Sequence, residues 1–172
     1  MSDGPYDASE IRLETSLGYY LSKARNVLAE RTDKAVEPLG LTSSQIGVIL
    51  LLSCGRAHTP FELSRAMSYD SGSMTRMLDR LEKKGFIVRA RSDTDRRMVE
   101  LQLTQQGKDA ATKLPGIGAA VLNEQLRGFS DADLATLIDL LARFIANGLA
   151  GSEGCCAVEQ TPSGDSSSPT GE

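Results

Sequence analysis

Hydrophobic positions along most of this chain follow the period of amphipathic helices. In the first segment, apolar and aromatic residues recur three, four, seven and eleven positions apart, at Leu17, Tyr20, Leu21, Ala24 and Leu28. This stripe predicts one long helix over about 8–37, which Pro38 and Gly40 would end because neither residue readily continues a helix.

A second helix is predicted directly after this boundary. Thr42 and Gln45 have the spacing of a capping box, in which a hydroxyl and an amide each bond a backbone N–H that the first helical turn leaves free. The following run, 46–52, is apolar almost all round. We therefore expect this helix to be deeply buried.

Two short helices joined by a polar turn come next. Thr59, Pro60 and Glu62 form another capping box, with proline at the first helical position, and this helix should end near Met67. Asp70 or Ser71 can cap a further helix that stops at Gly85. Its apolar stripe consists of Met74, Met77, Leu78 and Leu81. The pair is a candidate helix-turn-helix whose second helix is basic.

The pattern changes from helical to alternating after the basic helix. In 98–103 apolar residues alternate with Glu100 and Gln102, which predicts a strand with one apolar face. Residues 86–91 are predicted as the partner strand, and the polar segment 92–97 as the loop between them. We therefore expect a β-hairpin with a basic tip.

Helical spacing resumes after Thr104 and continues to about residue 149. The segment 115–118 contains proline and two glycines and should kink or break this helix. Ser130 and Asp133 then predict a new helix start. The last helix has a wide apolar face formed by Leu134, Leu137, Ile138, Leu141, Phe144, Ile145 and Leu149. The predicted fold is mostly α-helical with one small β-hairpin.

Composition adds a second region to this picture. The chain has 172 residues, 40% apolar and 24% charged, with a net charge of -4. Residues 151–172 are rich in Gly, Ser, Pro and Thr and contain four acids but no Lys or Arg. Such a segment buries too little apolar surface to offset its ordering entropy. We therefore predict a folded region over 1–150 and a disordered acidic tail over 151–172.

The positive charge is concentrated in one stretch. Residues 71–97 hold eight bases and four acids, although 1–150 as a whole contains equal numbers of both. A solvated helix face would explain the helix alone, but a basic hairpin directly after it favours DNA, with the helix in the major groove and the hairpin tip in the minor groove. The predicted contacts are Ser71, Ser73, Thr75, Arg76, Arg80, Arg91, Arg96 and Arg97.

Several other classes of protein are not indicated. No apolar run reaches the roughly 18 residues of a membrane span, and no export leader is recognisable, so we expect a cytoplasmic protein that does not enter membranes. The three cysteines have no metal or disulfide spacing. Motifs for nucleophilic, metal-dependent or dinucleotide chemistry are missing, so we expect neither enzymatic activity nor a cofactor.

The stretch SGSMTRMLDRLEKKGFIVRARSDTDRRMVELQLTQQG resembles the winged helix-turn-helix of the MarR (multiple antibiotic resistance regulator) family. On the recognition helix the matching positions are Thr75, Arg76, Asp79, Arg80, Leu81 and Gly85. On the hairpin, or wing, they are Arg89, Asp95, Arg97, Leu103 and Thr104. The resemblance follows the element order over about 10–149 and is most specific across 71–104.

The resemblance implies a homodimeric transcriptional regulator, in the family typically a repressor, that binds double-stranded DNA at a pseudo-palindromic operator. It implies dimerisation helices at about 8–37 and 105–149 and a DNA-binding lobe at about 42–104. In the family the wing arginine enters the minor groove and an aspartate two residues earlier orients it, roles that fall on Arg97 and Asp95. The alternative for Asp95 is a turn acid that bonds its own backbone.

A different class of function is a winged-helix module whose basic face binds an acidic protein. Preference for one duplex, together with affinity that falls steeply with salt, would distinguish a DNA-binding regulator from such a module.

The resemblance also implies release from DNA by a small aromatic or phenolic ligand or by an oxidant. Thr75 and Arg89 match positions near a carboxylate site, with a phosphate contact or structural hydrogen bond as the alternative. Tyr19 and Tyr20 lie on the helix that lines the family's pocket, although helix aromatics more often form core or interface. Cys54 is the candidate redox thiol; the alternative is an inert, buried residue.

Overall fold

The computed structural model describes residues 6–7, 11–91 and 99–150. In these ranges the chain forms helices and one two-stranded antiparallel sheet. The main elements are α1 (Leu17–Val36), α2 (Ser43–Ser53), α3 (Pro60–Met67), α4 (Ser71–Lys83), β1 (Ile87–Arg91), β2 (Val99–Leu103), α5 (Gln105–Gln125) and α6 (Asp131–Ala150). This order agrees with the predicted mostly helical architecture with one hairpin. The predicted acidic tail and the hairpin loop at 92–97 lie outside the described residues.

The chain divides into two compact units, Met1–Gly128 and Phe129–Glu172. The first unit contains α1 to α5 and the hairpin, and the second contains α6. The basic helix and both of its neighbouring elements therefore belong to one packed unit.

The first long helix begins later than predicted. A short 3-10 turn, Leu13–Thr15, precedes it, and Ser16 is extended, with φ -78° and ψ 122°. The backbone N–H of Leu17 donates to the hydroxyl of Tyr6 at 2.8 Å. Because this hydroxyl satisfies a donor that the first helical turn cannot use, it favours a helix start at Leu17. Residues 11–16 are therefore not part of α1, and the prediction that the long helix includes them is wrong.

The boundary between α1 and α2 lies where the sequence predicts it. A 3-10 turn, Glu37–Leu39, follows α1, and Gly40 adopts a left-handed conformation with φ 72°. Thr42 N–H then donates to Gln45 Oε1 at 3.2 Å. In α2, four side chains are buried: Gln45, Val48, Ile49 and Leu52. The prediction of a buried second helix is confirmed.

Membrane-spanning length is reached only by combining two helices. In the described ranges, no single helix is long and apolar enough to cross a bilayer. The segment Leu17–Leu39 and α2 meet the length and composition requirement only as a pair bent by 68°.

Side-chain caps set the starts of both helices of the helix-turn-helix. Glu62 Oε2 accepts from Thr59 N–H at 2.9 Å, and Glu62 N–H donates to Thr59 Oγ1 at 3.2 Å. At the start of α4, Ser73 N–H donates to Asp70 Oδ1 at 2.8 Å. Ser68, in the turn between the helices, has φ 53°. Both predicted helix starts are confirmed.

The core of the first unit is formed by α2, α3, α4, the hairpin and α5. Its fully buried large side chains include Val48, Ile49, Leu63, Met74, Leu78, Leu81, Ile87 and Leu101. In the hairpin, Ile87 lies opposite Leu103 and Arg91 lies opposite Val99. Leu101 N–H also donates to His58 O at 2.7 Å, which ties β2 to the α2–α3 loop. The hairpin base is therefore fixed to the helix-turn-helix.

Helix α5 continues through Pro115, so the predicted break is wrong. Ala110 and Leu114 are buried before the proline, and Ile117 packs against the same core after it. Proline removes one intrahelical hydrogen bond, but packing on both sides holds the helix.

In the second unit, Ser130 and Asp133 cap α6 as predicted. Ser130 Oγ accepts from Asp133 N–H at 3.2 Å, and Asp133 Oδ2 accepts from Ser130 N–H at 2.9 Å. The Ser130 hydroxyl also donates to Asp133 Oδ2 at 2.7 Å. This bond, together with the one from Ser130 N–H, lowers the pKa of Asp133. Along the helix, Ile138, Phe144 and Ile145 are each more than half exposed.

Candidate nucleic-acid interface

Helix α4 has one buried and one exposed face. Met74, Met77, Leu78 and Leu81 point into the core and are at most 2% exposed. The predicted DNA contacts Ser71, Thr75, Arg76 and Arg80 are exposed, and Ser73 is half-buried. The exposed face therefore presents hydroxyl groups in its first turns and two guanidinium groups further along. This combination can bond base edges and phosphates.

Hydrogen bonds hold the first turn of α4. Arg76 Nη2 donates to Ser73 Oγ at 3.0 Å, and Thr75 Oγ1 donates to Ser71 O at 2.8 Å. The hydrogen bonds from Ser73 lower the pKa of Asp70, and the Arg76 charge adds to this effect. The groups at this end of the helix are thus ordered before any ligand binds.

The last described pair of the hairpin is Arg91 with Val99. The backbone of Arg91 belongs to β1. Asp95, Arg96 and Arg97 lie outside the described residues, so their predicted contacts remain predictions.

Arg89 joins β1 to α4. Its Nη1 lies 2.5 Å from Glu82 Oε2 and its Nη2 lies 2.6 Å from Asp79 Oδ1. Together these two ion pairs are called the Arg89 bridge below. The structure favours the structural alternative for Arg89, because its guanidinium already bonds two carboxylates. Arg89 and Asp79 both belong to the family motif, but the motif spacing does not indicate that they pair.

A cavity of about 590 Å³ lies between α2, β2 and α5. It is lined by Leu52, Ser53, His58, Leu101, Gln102, Leu103, Lys108, Ala111 and Thr112. Its lining mixes four apolar side chains with five polar ones. Concave surfaces where polar groups converge beside apolar ones can bind small molecules. Neither Lys108 nor His58 was predicted to bind a ligand, because the side chains that line this cavity come from distant parts of the chain.

Comparisons with known proteins identify the family. A MarR family profile matches residues 41–99. The multiple antibiotic resistance protein MarR of Escherichia coli is 34% identical over 111 residues, which cover 64% of this chain and 77% of that protein. This chain belongs to the MarR family. MarR regulators control transcription and are not enzymes.

Solved structures of MarR-type regulators share the fold. A Cys-to-Ser variant of Escherichia coli MarR complexed with operator DNA has a TM-score of 0.69 and 29% identity, covering 74% of this chain and 92% of that chain. The organohalide-sensing RdhR regulator, solved with 2,4-dichlorophenol, has a TM-score of 0.75 at 18% identity, covering 87% of this chain and 89% of that chain. The predicted winged helix-turn-helix is confirmed, and this MarR-family chain is a DNA-binding transcriptional regulator.

The tyrosines predicted as effector contacts in this MarR-family chain lie on the surface of α1. Tyr19 is half-buried, Tyr20 is exposed, and their rings meet edge to face with centroids 5.4 Å apart. Lys23 Nζ donates to Tyr19 Oη at 3.1 Å, and this bond raises the pKa of Lys23. Tyr19 lines a cavity of about 340 Å³ whose described walls all come from α1. The structure thus separates Tyr19 from the α2–β2–α5 cavity.

Cys54, the candidate redox thiol, is exposed, so the alternative of a buried residue is wrong. It follows the last residue of α2, where the chain turns through Gly55 with φ 67°. Its Sγ lies 3.5 Å from Leu51 O. Across 6–7, 11–91 and 99–150, no group of three or more His, Cys, Asp and Glu residues could hold a metal.

Proposed function

We propose that this MarR-family regulator is a homodimeric repressor that binds a pseudo-palindromic operator with α4 and the hairpin of each subunit. The observation that carries this proposal is the exposed face of α4, where hydroxyl and guanidinium groups lie opposite the buried stripe. The operator complex of the MarR relative supports it. Such a role places the protein in the cytoplasm with its DNA.

Each predicted contact has a defined task in this proposal. Arg76 and Arg80 pair with guanine edges or phosphates in the major groove, and the hydroxyls of Ser71, Ser73 and Thr75 bond bases or phosphates nearby. On the hairpin, Arg97 enters the minor groove, oriented by Asp95. Arg91 and Arg96 neutralise phosphates beside it.

The homodimer follows from apolar surface that one chain leaves exposed. Leu17, Tyr20 and Val27 of α1 are each more than 40% exposed, as are Phe144 and Ile145 of α6. We propose dimerisation helices at about 8–37 and 105–149 and a DNA-binding lobe at about 42–104. Two-fold symmetry then sets the half-sites about one helical turn, roughly 10 base pairs, apart.

We place the effector in the α2–β2–α5 cavity. Lys108 and His58 offer polar groups to a carboxylate or phenol, while Leu52 and Leu101 provide apolar walls. The RdhR neighbour was solved in a 2,4-dichlorophenol-bound form, which supports a phenolic effector. The roles predicted for Tyr19, Tyr20, Thr75 and Arg89 in effector binding, and for Cys54 in oxidation, remain further proposals.

The test uses an operator selected from random duplexes by the protein itself. Arg76→Ala and Arg97→Ala should each weaken binding by about 1 to 3 kcal/mol in fluorescence anisotropy titrations, because each removes one groove contact. Because Arg76 is exposed, the Arg76→Ala protein should unfold at nearly the same temperature as the wild type. Arg143→Ala, which removes an exposed arginine of α6, is the matched control and should bind normally.

Other arms of this experiment decide between the alternatives. Benzoate or 2,4-dichlorophenol should release the operator, and Lys108→Met should remove the benzoate effect selectively. Wild-type affinity of both arginine variants would contradict the proposed DNA contacts. Failure to select any preferred duplex would favour the protein-interaction module instead.

A further inference from the structure

We propose that Arg89 is a positioning residue that holds the hairpin against the recognition helix α4, so that both can bind one operator half-site. The inference rests on the proposed function, because it requires α4 and the hairpin to bind DNA together. It gives Arg89 a task that needs neither a DNA contact nor an effector. The Arg89 bridge is the observation from which it starts.

The alternation of β1 aims Arg89 at α4. Successive strand residues point to opposite faces, so Arg89 shares a face with Ile87. Ile87 is 1% exposed and belongs to the core that α4 lines. Asp79 and Glu82, three residues apart on α4, lie on neighbouring positions of one helix surface. The planar guanidinium can therefore bond both carboxylates at once, which a lysine cannot do with the same geometry.

The Arg89 bridge lies where the apolar support of the hairpin ends. Leu101, the register partner of Arg89, is 2% exposed. Val99, two residues nearer the loop, is 43% exposed. A two-stranded hairpin without further packing is marginally stable in water. Arg89 therefore connects α4 to the hairpin at the boundary between its buried base and its exposed end.

The energetics favour an effect on orientation over an effect on folding. The side chains of the Arg89 bridge are 31% to 56% exposed, and exposed ion pairs contribute little to stability. Nine core side chains, including Ile87 and Leu101, are instead fully buried. Loss of the Arg89 bridge should leave the fold intact while releasing the outer hairpin from α4.

Neutralising the carboxylates of the Arg89 bridge tests two explanations that predict opposite changes in operator affinity. Neutralising Asp79 and Glu82 removes two negative charges from a DNA-binding helix, so simple electrostatics predicts tighter operator binding. The positioning role predicts weaker binding, because the same change releases Arg89 from α4. The double variant Asp79→Asn/Glu82→Gln is therefore decisive, and its amides preserve side-chain volume.

Operator binding is measured by fluorescence anisotropy at several salt concentrations. Arg89→Met and Asp79→Asn/Glu82→Gln should each weaken binding by roughly tenfold, a change of about 1.4 kcal/mol. Arg89→Lys should recover only part of this loss, because a lysine lacks the guanidinium fork. Thermal unfolding of all variants is followed in parallel. If Arg89→Met fails to fold, the double amide variant still decides the question.

The double variant Arg89→Met/Arg97→Ala distinguishes a positioning role of Arg89 from a direct contact of Arg89 with DNA. If Arg89 acts through the hairpin, Arg89→Met should add little to the loss that Arg97→Ala already causes. Lys83→Met removes a positive charge from the same helix and is the matched control. Any loss it causes should be additive with Arg97→Ala and should shrink at high salt, because it acts through charge alone.

Two results would overturn the inference while leaving the proposed function intact. One is tighter operator binding by the Asp79→Asn/Glu82→Gln variant. The other is full additivity of Arg89→Met with Arg97→Ala, which would assign Arg89 a contact of its own. The proposed function has a separate criterion, since Arg76→Ala weakens binding whether or not Arg89 positions the hairpin.

Discussion

Asp70 shows how one side chain controls the start of the recognition helix. Its carboxylate caps α4 through Ser73, and those hydrogen bonds hold its pKa below the usual 3.8. Because the folded-state pKa is depressed, the ionised cap stabilises the fold above the unfolded-state pKa, and this contribution disappears as pH falls through the folded-state pKa. Glu62 behaves alike at α3, where backbone N–H groups of His58 and Thr59 lower its pKa below 4.5.

Replacing Asp70 by asparagine should separate capping from charge. Asparagine caps helices about as well as aspartate, so Asp70→Asn should keep its stability near pH 7. Its stability should fall less steeply than that of the wild type below about pH 4, because one titrating cap is gone. Urea unfolding across this pH range measures the difference. Asp70→Ala, which loses the acceptor, should be less stable than Asp70→Asn both near pH 7 and below about pH 4.

Identical pH profiles for the wild type and Asp70→Asn would show that this cap does not contribute to acid unfolding. A profile that becomes steeper in Asp70→Asn would contradict the direction of the pKa shift.

At the residue scale, sequence predicts interactions that span three positions and misses those that span many. The caps at Thr59, Asp70 and Ser130 were predictable because donor and acceptor lie within one helical turn. The Arg89 bridge joins residues seven and ten positions apart across a turn and a strand start. Such a pairing depends on how β1 crosses α4, which no local pattern encodes.

At the element scale, Lys84, directly after α4, connects that helix to the α1–α2 turn and to α2. Its Nζ donates to Gly40 O at 2.7 Å and to Gln45 Oε1 at 3.2 Å, and Gln45 is 2% exposed. Lys84→Met should lower the free energy of unfolding by about 1 kcal/mol, since it removes charge-assisted hydrogen bonds between elements. Lys83→Met should change it by less than about 0.5 kcal/mol. Urea unfolding of both variants provides the comparison.

Equal stability of the two lysine variants would contradict this role for Lys84. Lys84→Arg serves as the charge control, because it keeps the positive charge and tests whether the compact ammonium is required. A substantial recovery by arginine would show that charge, more than shape, joins these elements.

The elements with strong periodicity were predictable, and the errors occur where distant contacts override local preference. The buried face of α4 and the strands follow from apolar spacing alone. The start of α1 depends instead on the Tyr6 hydroxyl, eleven residues before Leu17. Continuity of α5 through Pro115 depends on core packing around Leu114 and Ile117. Tertiary contacts of this kind commonly outweigh the intrinsic preferences of single residues.

At the scale of the whole molecule, the exposed apolar face of α6 belongs to the surface through which we propose that two copies of the chain associate. Its residues Ile138, Phe144 and Ile145 are more than half exposed, and a contiguous apolar surface of this kind usually marks an interface. Ile145→Asp should abolish dimers, because a partner would have to bury an unpaired carboxylate. The monomer should stay folded, since Ile145 is 58% exposed in the single chain. Light scattering after gel filtration measures the mass, and circular dichroism measures the fold.

The same substitution should also remove operator binding, because a dimer binds its second half-site at high effective concentration and a monomer does not. Thr136→Asp is the matched control, since nine helical positions place Thr136 opposite Ile145 on α6. It should leave both mass and affinity unchanged. A dimeric Ile145→Asp protein would exclude this face from the interface. A monomeric variant that binds the operator as tightly as wild type would instead show that recognition needs only one α4 and one hairpin.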